Sequence, residues 1–170
     1  MTDAEEAEDA EGAAGAQPAA ALDIRRTTEG DGPAIGDLWL ASWRATFDFP
    51  PGHPDDVVRR WLTETLVPSS EAWVAVDDGG TPVALLALSD TMVEQLYVAP
   101  AWIGRGVGRR LIELAKARRP EGLDLYCFAV NTRARRFYER HGFHAIAFGD
   151  GSGNEEGQPD VRYAWRPEAP

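Results

Sequence analysis

Apolar side chains recur along this chain first at helical, then at strand spacing. Leu22-Asp23-Ile24-Arg25 alternates and reads as a short strand. Asp31 and Pro33 mark a helix start, and Ile35, Leu38, Trp39, Ser42, Trp43 and Thr46 follow on one helical face. Pro50, Pro51, Gly52 and Pro54 forbid regular structure between Phe47 and Pro54. Val57, Val58, Trp61, Leu62 and Leu66 then predict a second amphipathic helix that stops before Pro68. The middle is β: Trp73–Val76 and Val83–Leu88 form a hairpin about Asp77-Asp78-Gly79-Gly80, and a third strand covers Thr91–Val98. A helix follows from Gly106 to Arg118, with Val107, Leu111, Leu114 and Ala115 on one face. The apolar run Leu123–Val130 is a buried strand, and Asn131–His141 a short helix. Phe143–Phe148 and Val161–Trp165 close the chain as strands joined by a loop rich in glycine and acids. The order β-α-α-β-β-β-α-β-α-β-β predicts an α/β fold around a mixed sheet.

Composition narrows the class. At 170 residues with 44% hydrophobic and 26% charged positions, the chain suits one soluble domain with a tail. Residues 1–21 are Ala, Glu, Asp and Gly with almost no large apolar side chain, which predicts a disordered acidic tail before a domain spanning 22–170. One cysteine excludes an internal disulfide framework and a Cys-rich zinc site. No apolar run reaches the ~20 residues of a membrane span, and no signal-peptide pattern opens the chain, so the expected location is cytoplasmic.

The net charge of −11 argues against nucleic acid and acidic membranes as partners. Yet residues 101–140 carry ten bases against four acids. Within that segment Gly104-Arg105-Gly106-Val107-Gly108-Arg109 joins a strand to a helix. Its three glycines let backbone approach a ligand, and the free N–H groups of the first helical turn suit an anion. Arg109 and Arg110 sit in that turn, where the helix dipole disfavours cations. Arg133, Arg135 and Arg136 repeat the conflict behind Asn131, a good N-cap. Five such arginines point to phosphates. A Walker loop lacks its Lys and hydroxyl here, and a dinucleotide fingerprint lacks its third glycine, where Arg109 stands.

Three blocks in order, Glu94-Gln95-Leu96-Tyr97-Val98-Ala99-Pro100, Gly104 to Arg109, and Asn131 through Phe137-Tyr138-Glu139-Arg140-His141-Gly142-Phe143, resemble the GNAT superfamily of acetyl-CoA-dependent N-acetyltransferases over most of residues 22–166. The resemblance implies a GNAT-like mixed β-sheet flanked by helices, with splayed central parallel strands. Acetyl-CoA, as co-substrate, would lie between Thr91–Val98 and Leu123–Val130. Its pantetheine arm would meet the backbone of Leu96, Tyr97 and Val98, and its pyrophosphate the N–H groups of Gly104, Arg105, Gly106, Val107, Gly108 and Arg109. Asn131 and Ala134 would lie on the pantetheine side. The family usually places Gln or Arg where this chain has Ile103, which removes one auxiliary contact to the phosphates.

Tyr138 shares a helical face with Ala134, Phe137 and His141 and on spacing alone reads as core. The resemblance makes it the acid that protonates the departing thiolate. Glu94 is the candidate base: alternation places it with Leu96 and Val98, and a carboxylate among apolar neighbours takes a proton more readily. The position equally suits an exposed strand-end acid, and in many family members a water or a backbone carbonyl serves instead. Cys127 reads as core. No metal is implied, and His53 can face the acceptor. Asp48, Asp55, Asp56, Asp150, Glu155, Glu156 and Asp160 flank the acceptor side, which favours a cationic amine, either a small molecule or a peptide. The expected reaction is direct attack in a ternary complex, in a monomer or homodimer. The alternatives are a non-catalytic acyl-CoA-binding or sensor module, and a nucleotide-binding protein.

Overall fold

The computed structural model describes residues 22–168. The expectation for residues 1–21 lies outside the described residues. Strand β1 (Asp23–Arg26) leads through a 3-10 turn into helix α1 (Gly32–Thr46). Helix α2 (Asp55–Trp61) runs through a π turn at Leu62–Leu66 into α3 (Val67–Ser69). Strands β2 (Glu71–Val76), β3 (Pro82–Leu88) and β4 (Val93–Val98) precede α4 (Val107–Arg118). Then come β5 (Leu123–Phe128), α5 (Thr132–Arg140), β6 (His144–Gly149) and β7 (Asp160–Trp165).

The predicted element order holds, and three details differ. The second helical stretch does not stop before Pro68. The Val67 N–H reaches back five residues to Leu62 O, and this wider turn takes the chain past the missing proline N–H. Strand pairing is not one continuous mixed sheet: β1-β2-β3-β4 and β5-β7-β6 are two antiparallel sheets, with parallel contact limited to one bridge between Met92 and Asp124. Asp31 caps the 3-10 turn in front of α1, accepting from the Thr28 N–H at 2.7 Å, and makes no side-chain cap to α1 itself.

Strand β3 explains why its sequence is an unbroken apolar run: both of its faces are covered. Leu85 and Ala87 pack with Ile35, Leu38, Trp39, Trp43 and Leu62 of the N-terminal helices. Ala84, Leu86 and Leu88 face the opposite way, against Val107, Leu111 and Ile112 of α4 and Leu123 and Leu125 of β5. Helices thus clamp the first sheet from both sides, and α4 also reaches the second.

Ion pairs secure the edges of this assembly. Arg25 donates both arms of its guanidinium to Asp31, at 2.8 and 2.9 Å. That pairing holds the Asp31 carboxyl down to about 2. Glu71 opens β2 and is nearly buried. Burial opposes its ionisation, but Arg118 at 2.6 Å and Arg119 at 2.9 Å overcome this and hold it at about 2. Asp124 of β5 is 6% exposed and meets Arg162 at 2.5 Å and Arg166 at 2.8 Å.

These depressed carboxyl values fix the sign of the acid response. Each carboxylate stabilises the fold fully above its unfolded value near 4, and that contribution is lost as pH falls toward 2. The melting temperature is therefore expected to be level above about pH 5 and to fall steeply below 4. In Glu71→Gln the same titration followed by circular dichroism should show a shallower acid slope. Parallel slopes in the two proteins would remove Glu71 from the account.

Candidate functional site

Strands β4 and β5 point the same way and touch only where they begin. The Asp124 N–H donates to Thr91 O at 2.9 Å beside the Met92–Asp124 bridge. Beyond it β4 pairs with β3 and β5 with β7, which leaves a gap between β4 and β5. The Ala99 N–H bonds Val83 O at 2.8 Å, and this sets the phase of β4. Tyr97 directs its backbone at β3, whereas Leu96 and Val98 direct theirs into the gap. The Val98 carbonyl is engaged, since Ser42 Oγ donates to it at 3.1 Å. The N–H groups of Leu96 and Val98 thus line one wall. Ser42 stood in the sequence as a small hydroxyl residue between Trp39 and Trp43 on the α1 face, which was the available signal for a buried polar contact.

Glu94 does not alternate with Leu96 and Val98 as expected. Ala87 pairs with Gln95 and Leu88 with Val93, so Glu94 is the extra residue of a β-bulge. The bulge turns Val93 into the core beside Leu96 and Val98 and leaves Glu94 exposed. The apolar surroundings expected for this carboxylate are therefore absent.

Beyond β4, Pro100–Trp102 form a 3-10 turn and the glycine loop enters α4. Gly104 and Gly106 have φ of +78° and +79°, a conformation that a Cβ disfavours, and nothing lies within 4 Å of where a Cβ would stand on either. A Cβ on Gly108 would come 3.4 Å from the Phe137 ring, so this glycine brings α4 close to α5. The first backbone bond of α4 runs from the Arg110 N–H to Gly106 O. The N–H groups of Val107, Gly108 and Arg109 precede it and have no helical acceptor. They form the positive end of α4, beside the gap. Arg105 stacks over Trp102, 5.0 Å from the ring centroid.

The arginine argument changes in detail. Arg109 pairs with Glu113 one turn on, at 2.8 Å. Arg110 donates to Leu22 O at 3.0 Å, and Arg135 to the Tyr163 hydroxyl at 3.1 Å. Three of the five arginines at the helix starts are thus engaged within the protein. Arg133 and Arg136 have no hydrogen-bond or ion-pair partner among the described residues. The donors left free at the start of α4 are therefore mainly backbone N–H groups.

Helix α5 begins as predicted: Asn131 Oδ1 accepts the Ala134 N–H at 3.1 Å, so the amide's other end alone is left for a ligand. The helix presents Tyr138, only 8% exposed, among Phe137, Phe143 and Tyr163. Its hydroxyl has no hydrogen-bond partner among the described residues. Burial, with Cys127 and Tyr97 nearby, moves this phenol well above the usual range, so it stays protonated. Cys127 is buried and its thiol is pushed up to about 12, chiefly by burial, which makes it a core residue and no thiolate nucleophile.

Aromatic rings cluster where β5 ends. Trp43, Phe47, Phe49 and Phe128 pack on one another with centroids 4.8 to 5.8 Å apart. Trp39 lies 5.3 Å from Tyr97 and its indole N–H holds Gln95 Oε1 at 3.0 Å. His53 in the 47–54 loop meets Glu155 in the β6–β7 loop at 2.8 Å, a link that spacing alone did not reveal.

A groove of about 560 Å³ lies elsewhere, at the end where β4 and β5 are joined. Arg118, Arg119, Arg162 and Arg166 line it. Their guanidiniums already hold Glu71 and Asp124, so it is an ion-pair clasp between the sheets and stands apart from the gap.

Known proteins share this arrangement. Residues 68–145 match the model of the acetyltransferase (GNAT) domain family. The peptidyl-lysine N-acetyltransferase YjaB of Salmonella typhimurium is 32% identical over 125 residues, covering 72% of this chain and 83% of the relative. The solution structure of apo-form YjaB from Escherichia coli superposes with a TM-score of 0.71 at 28% identity, covering 85% of this chain and 97% of that one. The PaiA N-acetyltransferase of Thermoplasma acidophilum, in complex with coenzyme A, shares the fold at a TM-score of 0.72 and 17% identity, covering 86% of this chain and 99% of that one. The expected fold class is met, and no helix among the described residues is long and apolar enough to cross a membrane. With a curated N-acetyltransferase relative 32% identical and covered over 83% of its length, the chain belongs to the GNAT superfamily and is an N-acetyltransferase.

Proposed function

We propose that this enzyme transfers the acetyl group of acetyl-CoA to a primary amine, with the lysine side chain of a peptide or protein as acceptor. The observation that carries the reading is the meeting of three features at the β4–β5 gap. Its wall offers the N–H groups of Leu96 and Val98, the free N–H turn of α4 lies beside it, and Tyr138, whose hydroxyl has no partner among the described residues, is buried near Cys127 of β5. The names of the similar YjaB proteins support lysine as acceptor.

In this reading the pyrophosphate rests on the loop from Gly104 to Arg109, where backbone donors converge on an anion. The pantetheine arm extends the sheet by pairing with Leu96 and Val98, within reach of Asn131 and Ala134 at the start of α5. Tyr97 contributes its ring rather than its backbone. An N–H of β4 aimed at the thioester oxygen stabilises the charge that grows there when the amine nitrogen attacks the carbonyl carbon. The C–S bond then breaks, and the Tyr138 O–H gives its proton to the departing sulfur. Glu94, open to water at the bulge, takes the amine's proton through a relayed water.

The test is a thiol-release assay with acetyl-CoA and lysine-containing peptides, with product identified by mass spectrometry. Tyr138→Phe is expected to lower kcat by about 10²-fold or more while the acetyl-CoA Kd stays within about twofold. Glu94→Gln should lower kcat near neutrality and recover as pH rises and the amine arrives unprotonated. A wild type that binds acetyl-CoA but acetylates no amine would make the protein a binding module.

The glycine loop gives an independent expectation. Gly106→Ala should lose roughly 1–2 kcal/mol of stability through its positive φ and bind acetyl-CoA more weakly in calorimetry. Gly80→Ala, with the same φ of +79° in the β2–β3 turn and equally open space, should lose similar stability and leave that affinity unchanged. Equal affinities in the two variants would take the loop out of cofactor binding.

A further inference from the structure

The loop joining β6 to β7 is rich in acids, yet most of them are engaged. Asp150 accepts from the Ser152 N–H and hydroxyl. Glu155 holds His53, and Asp160 accepts from Asn154 at 3.0 Å. Glu156 is different: half-buried, it has no hydrogen bond or ion pair among the described residues. The loop that carries it is firmly held. Asn154 donates to Gln158 O at 2.8 Å and accepts the Gln158 N–H at 3.1 Å. Gly151 lies so close to Gly157 that a Cβ would come within 2.6 Å of it. The Ala129 N–H bonds Pro159 O at 2.8 Å and ties the loop to the end of β5, one residue past Phe128. On the other side, Glu156 Oε1 lies 3.4 Å from where a Gly52 Cβ would stand. Glu156 is thus fixed between the aromatic 47–54 loop and the open end of the β4–β5 gap.

Two more polar groups there have no internal partner. Tyr138 is more than nine-tenths buried and Tyr97 half-buried, and neither hydroxyl is bonded among the described residues. Tyr97 is felt at Tyr138, Cys127 is felt at both, and the charge of Glu156 is felt at Tyr97.

We propose that Glu156 receives the acceptor's ammonium group, holding it against the Tyr97 hydroxyl at the open end of the gap. A primary ammonium has three N–H donors and no acceptor, and the two carboxylate oxygens of Glu156 with the Tyr97 phenol oxygen supply three acceptors and a compensating charge. The methylene stem of a lysine would run across Phe128 and Phe47, whose rings favour an apolar chain ending in a cation. This assignment rests on the amine-acetylation reading and narrows the seven flanking acids to one. It also assigns specificity: the site takes an unbranched alkylammonium and rejects an acceptor with a carboxylate beside its amine.

The experiment measures acceptor kinetics for wild type, Glu156→Gln, Glu156→Asp and Glu155→Gln with a lysine peptide and with a neutral arylamine, beside acetyl-CoA binding and melting temperature. Glu156→Gln is expected to raise KM for the lysine peptide at least tenfold, to leave the arylamine KM and the acetyl-CoA Kd unchanged, and to melt like wild type. Glu156→Asp should restore part of the lysine affinity, and Glu155→Gln should shift KM less than Glu156→Gln. An unchanged lysine KM in Glu156→Gln, with wild type active, overturns this inference and leaves the acetyltransferase reading standing. A wild type that acetylates no amine overturns both.

Discussion

The structure depends on one refusal to pair. After the Met92–Asp124 bridge, β4 and β5 separate, and the edge groups of Leu96 and Val98 are left without strand partners. Unpaired backbone inside a protein is costly unless water or a ligand satisfies it, so such a gap persists only where the surroundings enforce it. Several do. The bulge at Glu94 bends β4. Ser42 occupies the Val98 carbonyl, and Trp39 fixes Gln95. On the far side β5 is fully committed to β7, and at its root Asp124 is gripped by two arginines. The strands are joined firmly at one end and held apart by packing along the rest.

That division of labour explains a charge that looks misplaced in the sequence. Asp124, between Leu123 and Leu125, breaks an apolar strand. Its neighbours are Arg162 and Arg166, so it anchors the closed end of the gap. Glu71 does the same between β2 and the C-terminal end of α4. The acid-sensitive carboxylates therefore sit where the frame is closed, and the groups proposed for chemistry sit where it opens.

Much of this frame was legible in the chain. The apolar faces of α1, α4 and α5, the Asn131 cap and the β2–β3 turn follow from local rules, because each is decided by side chains a few residues apart. The glycines at 104 and 106 were readable for the same reason: their role is a backbone angle. What escaped was set by partners distant in sequence. The bulge at Glu94 depends on the register with β3, the engagement of Arg110 on where β1 begins, and the His53–Glu155 link on two loops a hundred residues apart. Pro68 misled because the wider turn that carries the helix past it leaves no mark in composition.

The same distinction bears on the anion site. Five arginines at two helix starts, in a chain of net charge −11, read as a cationic pocket. With three of them engaged by Glu113, Leu22 and Tyr163, the phosphate site proposed above falls to N–H groups at a helix start. A backbone site is insensitive to which side chains surround it, provided the glycines permit the turn. Ile103, where the family usually has Gln or Arg, is then a tolerable substitution. Substitutions at Gly104 and Gly106 are not, because a Cβ disfavours the angle that aims the donors.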